Sequence, residues 1–331
     1  MARTPPRGPA PRGSGGSGSG PRLRGLAGRR IGREGVEDRE GRGRSGGGER
    51  SAGRGRAGGG GRRSGGRGRS ERWELSRRIV VAIPALIVAV LIVDQGGLIF
   101  TLAMMIVGWA CLDELYRIFG YADPIRLAGL FGLVGLLLAA RFGSQYEILL
   151  VAVAILPISF GLAVVVPRGS TIGIAVTLLG IWWIGFALAH AILLRDLPHG
   201  EGVIIDILVG TFAGDTGAYL GGRMFGRRRL APRISPNKTV EGLAIGVVVA
   251  VGSVWFASLY QDWMHKGNAI LLGIGVAIAA PVGDLFESYV KREAGAKDTG
   301  RLFGPHGGAL DRLDAALFAV VVGYYIWHAV V

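Results

Sequence analysis

A succession of long apolar runs begins at residue 79, continues to the C-terminus, and constrains this chain more than any other feature. A helix needs about 20 mainly apolar residues to cross a bilayer, where every backbone polar group must be satisfied internally. The runs therefore predict an all-α polytopic integral membrane protein with about nine transmembrane helices. They cover residues 79–93, 97–112, 125–140, 148–166, 171–194, 203–222, 239–260, 269–290 and 309–331.

The N-terminal residues 1–77 have a different composition, rich in Arg, Gly, Ser and Pro and almost free of aromatic and β-branched side chains. Such a segment cannot bury enough apolar surface to fold, so we predict a disordered basic tail. Residues 1–78 carry the whole formal net charge of +14, and residues 79–331 are neutral. Basic runs are typical of contacts with RNA or anionic lipid, but a solvated tail without a partner is the favoured interpretation, and no specific nucleic acid partner is expected.

The membrane part divides into two regions at about residue 200. Residues 78–200 are predicted to be N-terminal transmembrane helices, and residues 201–331 a C-terminal transmembrane catalytic region. Lys and Arg concentrate in alternate connections, on the same side of the membrane as the N-terminus. The positive-inside rule makes that side cytoplasmic. The sequence thus predicts a multi-pass protein of the cell membrane with its active site at the cytoplasmic face.

Residues 281–314 are dense in charge although apolar runs flank them on both sides. Asp284, Glu287, Ser288 and Lys291 recur at helical spacing and should share one helix face. Ionisable groups in membrane helices are costly and mark functional sites. Carboxylates suit Mg²⁺ and basic side chains suit phosphate oxygens, so phosphoryl or nucleotidyl transfer is predicted. The following loop and helix add Arg292, Lys297, Asp298, His306, Gly307, Gly308, Asp311, Arg312 and Asp314.

A second informative stretch, residues 206–242, places Asp215 in the middle of an apolar run that is rich in glycine. The glycines should let neighbouring helices approach closely, and a buried Asp with only a packing role is the alternative interpretation. Ser235 and Pro236 have the pattern of an N-cap and first helical residue, which would aim a helix N-terminus and Lys238 at an anion. Arg223 and Asn237 complete the candidate substrate-binding residues of this stretch.

Cysteine and histidine usage excludes two other kinds of site. The single cysteine, Cys111, cannot form an intrachain disulfide or a cysteine-based metal cluster, and we expect it to be buried. The five histidines have no metal-ligand spacing, which argues against a zinc centre.

The two charged stretches together resemble the phosphatidate cytidylyltransferase (CDP-diacylglycerol synthase) family. The first matching pattern is S-x-V-K-R, K-D, P-H-G-G and D-R-L-D, at Ser288 to Arg292, Lys297-Asp298, residues 305–308 and residues 311–314. The second is D-T-x-A-Y, two G-R pairs and I-S-P-x-K-T-x-E-G, beginning at Asp215 and ending at Gly242. The specific matches lie within residues 215–314.

The resemblance implies that phosphatidic acid and CTP give CDP-diacylglycerol and pyrophosphate with Mg²⁺, a second cation being left open. Metal ligands are expected among Asp284, Asp311, Asp215 and Asp314. Lys238, Lys291, Arg292 and Lys297 are expected to hold phosphates. Two roles are left open for Asp298, His306 and Arg312: contact with phosphate or metal, or a local structural bond. Substrate contacts are expected from Arg223, Ser235, Asn237, Ser288, Gly307 and Gly308.

Structural roles are expected for two further glutamates, and two other functions remain as alternatives. Glu287 and Glu241 should pair with neighbouring cations rather than bind metal. Membrane lipids are expected to surround the chain, and a homodimer is left open. A CTP-dependent kinase of a lipid alcohol would release CDP instead of pyrophosphate. A transporter with a midplane ion site would also use glycine-rich helices and a buried Asp, although the motif cations cluster in loops at one membrane face.

Overall fold

The computed structural model describes residues 87–166, 169–300 and 307–331. The basic tail predicted for residues 1–77 lies outside these residues. Residues 87–95 are helical. Eight longer helices follow: α1 (Gly97–Ile118), α2 (Arg126–Phe142), α3 (Gln145–Val165), α4 (Thr171–Asp196), α5 (Gly200–Phe225), α6 (Val240–Ala257), α7 (Lys266–Glu293) and α8 (Leu310–Val330).

Seven helices within the described ranges are long and apolar enough to cross a membrane, which confirms an all-α polytopic membrane protein. The seven are α1 and α3 to α8, with α6 extended to Tyr260 by a short 3₁₀ turn. Helix α2 has only 17 residues, and residues 87–95 adjoin residues outside the described part. Each of the nine predicted apolar runs nevertheless overlaps one helical segment, because apolar character sets where these helices form.

A two-stranded antiparallel hairpin interrupts the helices between α5 and α6, and it corrects one prediction. Strands β1 (Arg229–Ala231) and β2 (Ser235–Thr239) pair here, so Ser235 and Pro236 belong to a strand and do not begin a helix. Helix α6 begins at Val240 instead, where the Thr239 hydroxyl accepts a hydrogen bond from the Gly242 N–H at 3.1 Å. A threonine N-cap of this kind satisfies one of the free N–H groups at the helix start.

Close packing of α5 on α6 forms the most extensive helix contact in the described structure. A Cβ atom on Gly217 would lie 2.8 Å from the Val249 side chain, and one on Gly246 would lie 2.8 Å from the Gly214 carbonyl oxygen. These separations are too short for larger residues, so the glycines permit the approach of the two backbones. This confirms the predicted packing role of the glycine-rich run. Helix α7 packs on both α6 and α8 and completes the C-terminal bundle.

The N-terminal helices pack around fully buried side chains, including Leu112 and Tyr116 of α1 and Leu133 of α2. Tyr116 donates a hydrogen bond to the Thr177 carbonyl oxygen of α4 at 3.1 Å. Cys111 is fully buried, as predicted. Helix α4 contains a five-residue π turn and contacts α8, so the first four helices share a core with the C-terminal bundle.

Candidate active site

A cavity of about 540 Å³ opens between α5, α6, α7 and the hairpin. Its inner wall is formed by small and apolar residues that lie further from the hairpin than the polar residues do, such as Gly210, Ala250 and Ala277. Its other end is polar. The polar residues at that end are Asp215, Arg223, Ser235, Asn237, Lys238 and Asp284, all of them predicted site residues. The structure therefore brings six predicted residues from three chain segments into one cavity.

An ion pair spans the polar end of this cavity, because the Lys238 ammonium group contacts the Asp284 carboxylate. Strand β2 supplies the lysine and α7 the aspartate, and both side chains are partly exposed. Asp215 of α5 faces the same space and is close enough to Asp284 and Lys238 to interact with both electrostatically. Two carboxylates and one cation thus meet at the polar end of the cavity.

The carboxylates of Asp215 and Asp284 fit Mg²⁺, which needs only one or two carboxylates when substrate phosphates and water fill its other positions. Within residues 87–166, 169–300 and 307–331, no group of three or more His, Cys, Asp or Glu side chains is arranged to hold a metal. Protein ligands alone therefore do not form a closed metal cage in the described ranges. The four predicted metal ligands divide between two neighbouring clusters.

The second cluster centres on Lys291 of α7, whose ammonium group lies 2.6 Å from a Glu287 carboxylate oxygen and 2.9 Å from a carboxylate oxygen of Asp311. All three side chains are largely buried, and Glu287 is only 1% exposed. Glu287 pairs with a cation, as predicted. A lysine shared between two carboxylates in a low-dielectric setting is held firmly, since either partner left alone would be an uncompensated buried charge.

Backbone donors also converge on Asp311, in the first turn of α8. Its carboxylate accepts hydrogen bonds from the Gly308 N–H at 2.8 Å and the Thr299 N–H at 3.1 and 3.2 Å. Gly308 is an expected substrate contact, and in this structure its N–H donates to the protein's own Asp311. With Lys291 included, three donors occupy Asp311, an arrangement that favours positioning over metal ligation.

The polar face of α7 joins the two clusters, since Asp284, Glu287, Ser288 and Lys291 follow each other along one side of the helix. Asp284 and Lys291 are separated by about 10 Å along the axis at the helical rise of about 1.5 Å per residue. The Ser288 hydroxyl donates to Asp284 at 3.5 Å. Asp314 is buried on α8. It interacts electrostatically with Asp284 of the cavity and with Glu287 of the Lys291 cluster.

The remaining predicted residues lie near these clusters or outside the described part of the chain. Arg292 is exposed and donates to the carbonyl oxygens of Ile234 and Ala296 at 3.4 Å. Lys297 and Asp298 are exposed in the loop after α7, and Arg312 lies in the first turn of α8. Gly307 has a positive φ of 86° beside Gly308. His306 is outside the described residues.

Glu241 differs from its predicted role, because its carboxylate accepts hydrogen bonds from the main-chain N–H groups of Arg227 and Arg228 at 2.9 and 3.1 Å. It therefore holds the backbone that leads into the hairpin, and its cation pairing is reduced to an attraction towards Arg228. A carboxylate that accepts two N–H bonds fixes a chain reversal firmly. In this way α6 anchors the start of the hairpin whose second strand carries Lys238.

The sequence interpretation missed two residues of this region, Glu114 of α1 and Thr299 of the loop. Glu114 is 4% exposed and accepts hydrogen bonds from the Thr299 hydroxyl at 3.2 Å and the Leu310 N–H at 3.0 Å. The available signal was an acidic residue inside a membrane-length helix, the same signal that identified Asp215. The apolar run ends at residue 112, so Glu114 was taken as part of a connection.

Comparison with known proteins agrees with the geometry. The model of the Cytidylyltransferase family matches residues 76–330. The phosphatidate cytidylyltransferase of Bacillus subtilis is 34% identical over 269 residues, which cover 76% of this chain and 97% of the relative. The proteins of the same name from Brucella suis and Staphylococcus aureus are 34% and 32% identical, over 76% and 73% of this chain and 92% and 95% of theirs.

Both motif stretches lie within the matched range. Described residues of the second pattern, among them Asp215 and Lys238, line the cavity, and Lys291 and Asp311 of the first pattern form the second cluster. The family resemblance found in the sequence is thereby confirmed. The chain belongs to the cytidylyltransferase family.

Proposed function

We propose that this chain is a phosphatidate cytidylyltransferase, a nucleotidyltransferase that converts phosphatidic acid and CTP to CDP-diacylglycerol and pyrophosphate. One observation carries the proposal: a carboxylate from each of the two charged stretches, Asp215 and Asp284, lines one cavity together with Arg223 and Lys238, and the inner wall of this cavity is apolar. That combination suits a lipid phosphate and a nucleotide triphosphate in one place. Relatives named phosphatidate cytidylyltransferase, matched over most of their length, supply the substrate class.

The reaction joins two anions, so its main requirement is to reduce their repulsion. A phosphatidic acid oxygen attacks the α-phosphorus of CTP, a new P–O bond forms, and the bond from the α-phosphorus to the bridging oxygen breaks as pyrophosphate leaves. The attacking phosphate is already ionised, so no strong base is required. Bound Mg²⁺ would neutralise phosphate charge and stabilise the in-line transition state.

The described residues divide this work between them. Asp215 and Asp284 are the proposed Mg²⁺ ligands, and Lys238 exchanges its contact with Asp284 for a phosphate oxygen. Arg223, Ser235 and Asn237 contact substrate at the polar end of the cavity. The proposal gives Lys291 and Asp311 a supporting role, because each is already bound by protein groups. Arg292 and Lys297 are proposed to hold phosphate oxygens, and Ser288 to contact substrate.

The position in the membrane is also proposed. Nine spans would result if α2 and the helix that includes residues 87–95 cross together with the seven longer helices. The basic connections then face the cytoplasm, where CTP is available. Diacyl chains reach the cavity laterally between apolar helices. A homodimer is compatible with this arrangement but is not needed for the site.

The deciding experiment measures products of the purified full chain with CTP, phosphatidic acid and Mg²⁺, wild type beside Asp284→Asn. We expect CDP-diacylglycerol and pyrophosphate from the wild type and a loss of at least about a hundredfold in the folded variant. CDP together with a phosphorylated lipid alcohol would instead indicate the kinase. Full activity of Asp284→Asn would contradict the proposed metal ligand while leaving the reaction in place. If no nucleotide is turned over by well-folded protein, the transporter alternative gains support.

A further inference from the structure

Helix α1 contributes a buried carboxylate to the active-site region, although it carries none of the family motifs quoted above. Glu114 lies in the last turns of α1 and is 4% exposed. One carboxylate oxygen accepts hydrogen bonds from the Thr299 hydroxyl at 3.2 Å and the Leu310 N–H at 3.0 Å. Its partners are 185 and 196 residues away along the chain, on the two sides of the loop between α7 and α8.

The second carboxylate oxygen of Glu114 is buried and has no hydrogen-bond partner among the described residues. It lies against the backbone of the same loop, because a Cβ atom on either Gly300 or Gly308 would overlap the Glu114 carboxylate. Only glycine leaves room for the carboxylate at these two positions. The backbone at Gly300 and Gly308 is therefore packed closely against Glu114.

The groups that Glu114 holds are also the groups that position Asp311. Thr299 donates its hydroxyl to Glu114 and its backbone N–H to Asp311. Leu310, whose N–H donates to Glu114, is next to Asp311 in the chain, and Gly308 donates its N–H to Asp311. Asp311 then holds Lys291 at 2.9 Å. A continuous series of hydrogen bonds thus links α1 to the polar face of α7.

We propose that Glu114 is a positioning residue of the active site, which acts through Thr299 and Leu310 to fix Asp311 and Lys291 in the geometry required for nucleotidyl transfer. This inference rests on the proposed function. Helix α1 would then contribute to the reaction as well as to the packing of the helices in the membrane. Glu114 itself does not line the cavity, so it acts on the substrate only through other residues.

Three substitutions separate hydrogen bonding from charge. Glu114→Gln keeps an acceptor oxygen for Thr299 and Leu310 on a side chain of the same length. Glu114→Ala removes this acceptor. Glu114→Asp keeps a carboxylate, but its side chain is one methylene shorter. We expect a fall in kcat of about tenfold to a hundredfold for Ala and Asp, the size that a misplacement of about 1 Å produces. Gln should be at least about ten times more active than Ala, with KM for phosphatidic acid unchanged in all three.

Asp113→Asn is the matched control, since it removes a carboxylate from the neighbouring residue, which pairs outward with Arg117 and Arg126. Its activity should equal that of the wild type. Gly308→Ala offers an independent variant if the Glu114 variants fold poorly, because it disturbs the same contact and leaves the carboxylate in place. We expect it to lower kcat like Glu114→Ala.

Hydrogen exchange supplies a readout that does not depend on turnover. In full-length Glu114→Ala, the amides of Thr299, Gly308 and Leu310 should exchange at least about tenfold faster, while the amides of α5 exchange as in the wild type. Unchanged exchange in the loop, or wild-type kcat in Glu114→Ala, would overturn the proposal, and so would equal losses in Gln and Ala. A wild-type protein that forms no CDP-diacylglycerol would refute the proposed function instead, and the exchange measurement would still test the anchoring of the loop.

Discussion

At the scale of single residues, the two lysines of the site have different surroundings and should respond differently to substitution. Lys238 is partly exposed at the polar end of the cavity and contacts one carboxylate. Lys291 is largely buried between two carboxylates. A partly exposed ion pair contributes little to stability, whereas removal of one member of a buried pair is costly. Loss of Lys238 should therefore affect mainly turnover, whereas loss of Lys291 should affect stability as well as turnover.

Lys238→Met should lower kcat/KM by about a hundredfold, because a phosphate-binding cation is lost from the site of charge development. The melting temperature should change little. A steady-state assay with varied CTP, together with a thermal unfolding curve, measures both effects. Lys266→Met is the matched control, since Lys266 contacts the Ser258 carbonyl oxygen at the other end of α6 and α7. Equal activity losses in the two variants would contradict the role of Lys238.

Lys291→Met should destabilise the protein by about 3–5 kcal/mol, since Glu287 and Asp311 would remain as buried carboxylates without a cation. Unfolding in detergent, followed by circular dichroism, measures the loss. Arg117→Met removes an exposed partner of Asp113 and should cost less than about 1 kcal/mol. Similar stabilities of the two variants would show that Lys291 is not held as described.

At the scale of elements, the cavity exists because α5 and α6 approach closely along glycines while α7 presents its polar face to the same space. The two glycine-rich helices contribute wall positions without filling them, among them Gly214 and Gly246. The hairpin then closes one end and carries Lys238. A change in the separation of α5 and α6 should alter the cavity even where no polar residue is touched.

Gly246→Ala should destabilise the protein by about 1–3 kcal/mol and reduce turnover. Its new Cβ atom would lie 2.8 Å from both the Gly214 carbonyl oxygen and the Ala218 side chain. Gly252→Ala on the same helix has nothing within 4 Å of the new Cβ atom. There the higher helix propensity of alanine should stabilise by about 0.5–1 kcal/mol. Melting temperatures that move in opposite directions would support the close contact, and a fall in both would argue against it.

At the scale of the whole molecule, the two ends of α6 should face opposite sides of the membrane. Arg233 lies in the hairpin that leads into α6, and Asp262 lies in the connection that follows it. The site residues Lys238 and Asp284 are at the hairpin end. The orientation of this one helix therefore decides whether the cavity opens towards cytoplasmic CTP.

Cysteine labelling measures this orientation, because Cys111 is the only cysteine and can be removed as Cys111→Ala. In that background, Asp262→Cys should react with a membrane-impermeant maleimide in intact cells. Arg233→Cys should react only after the cells are permeabilised. The reverse pattern would place the cavity opening outside the cytoplasm and contradict the proposed source of CTP.

The sequence by itself determined the fold class, the family and most of the site composition. Apolar runs locate the helices because a sufficiently long apolar segment is stable as a helix in a bilayer, whatever tertiary contacts it makes. Charged residues in or beside these runs are costly, so Asp215, Asp284 and Lys291 could be recognised without a structure. The face shared by Asp284 and Lys291 also followed from helical spacing alone.

Tertiary structure decided how those residues are grouped and which distant residues join them. Asp311 and Asp284 were equivalent candidates in the sequence, yet packing gives Asp311 three donors and leaves Asp284 at the cavity. Ser235 has the local pattern of an N-cap, but pairing with β1 makes it part of a strand. The contact of Glu114 with the loop spans 185 residues, and no local pattern encodes it. Such contacts depend on which helix faces are adjacent after folding, and this is fixed only when the whole bundle packs.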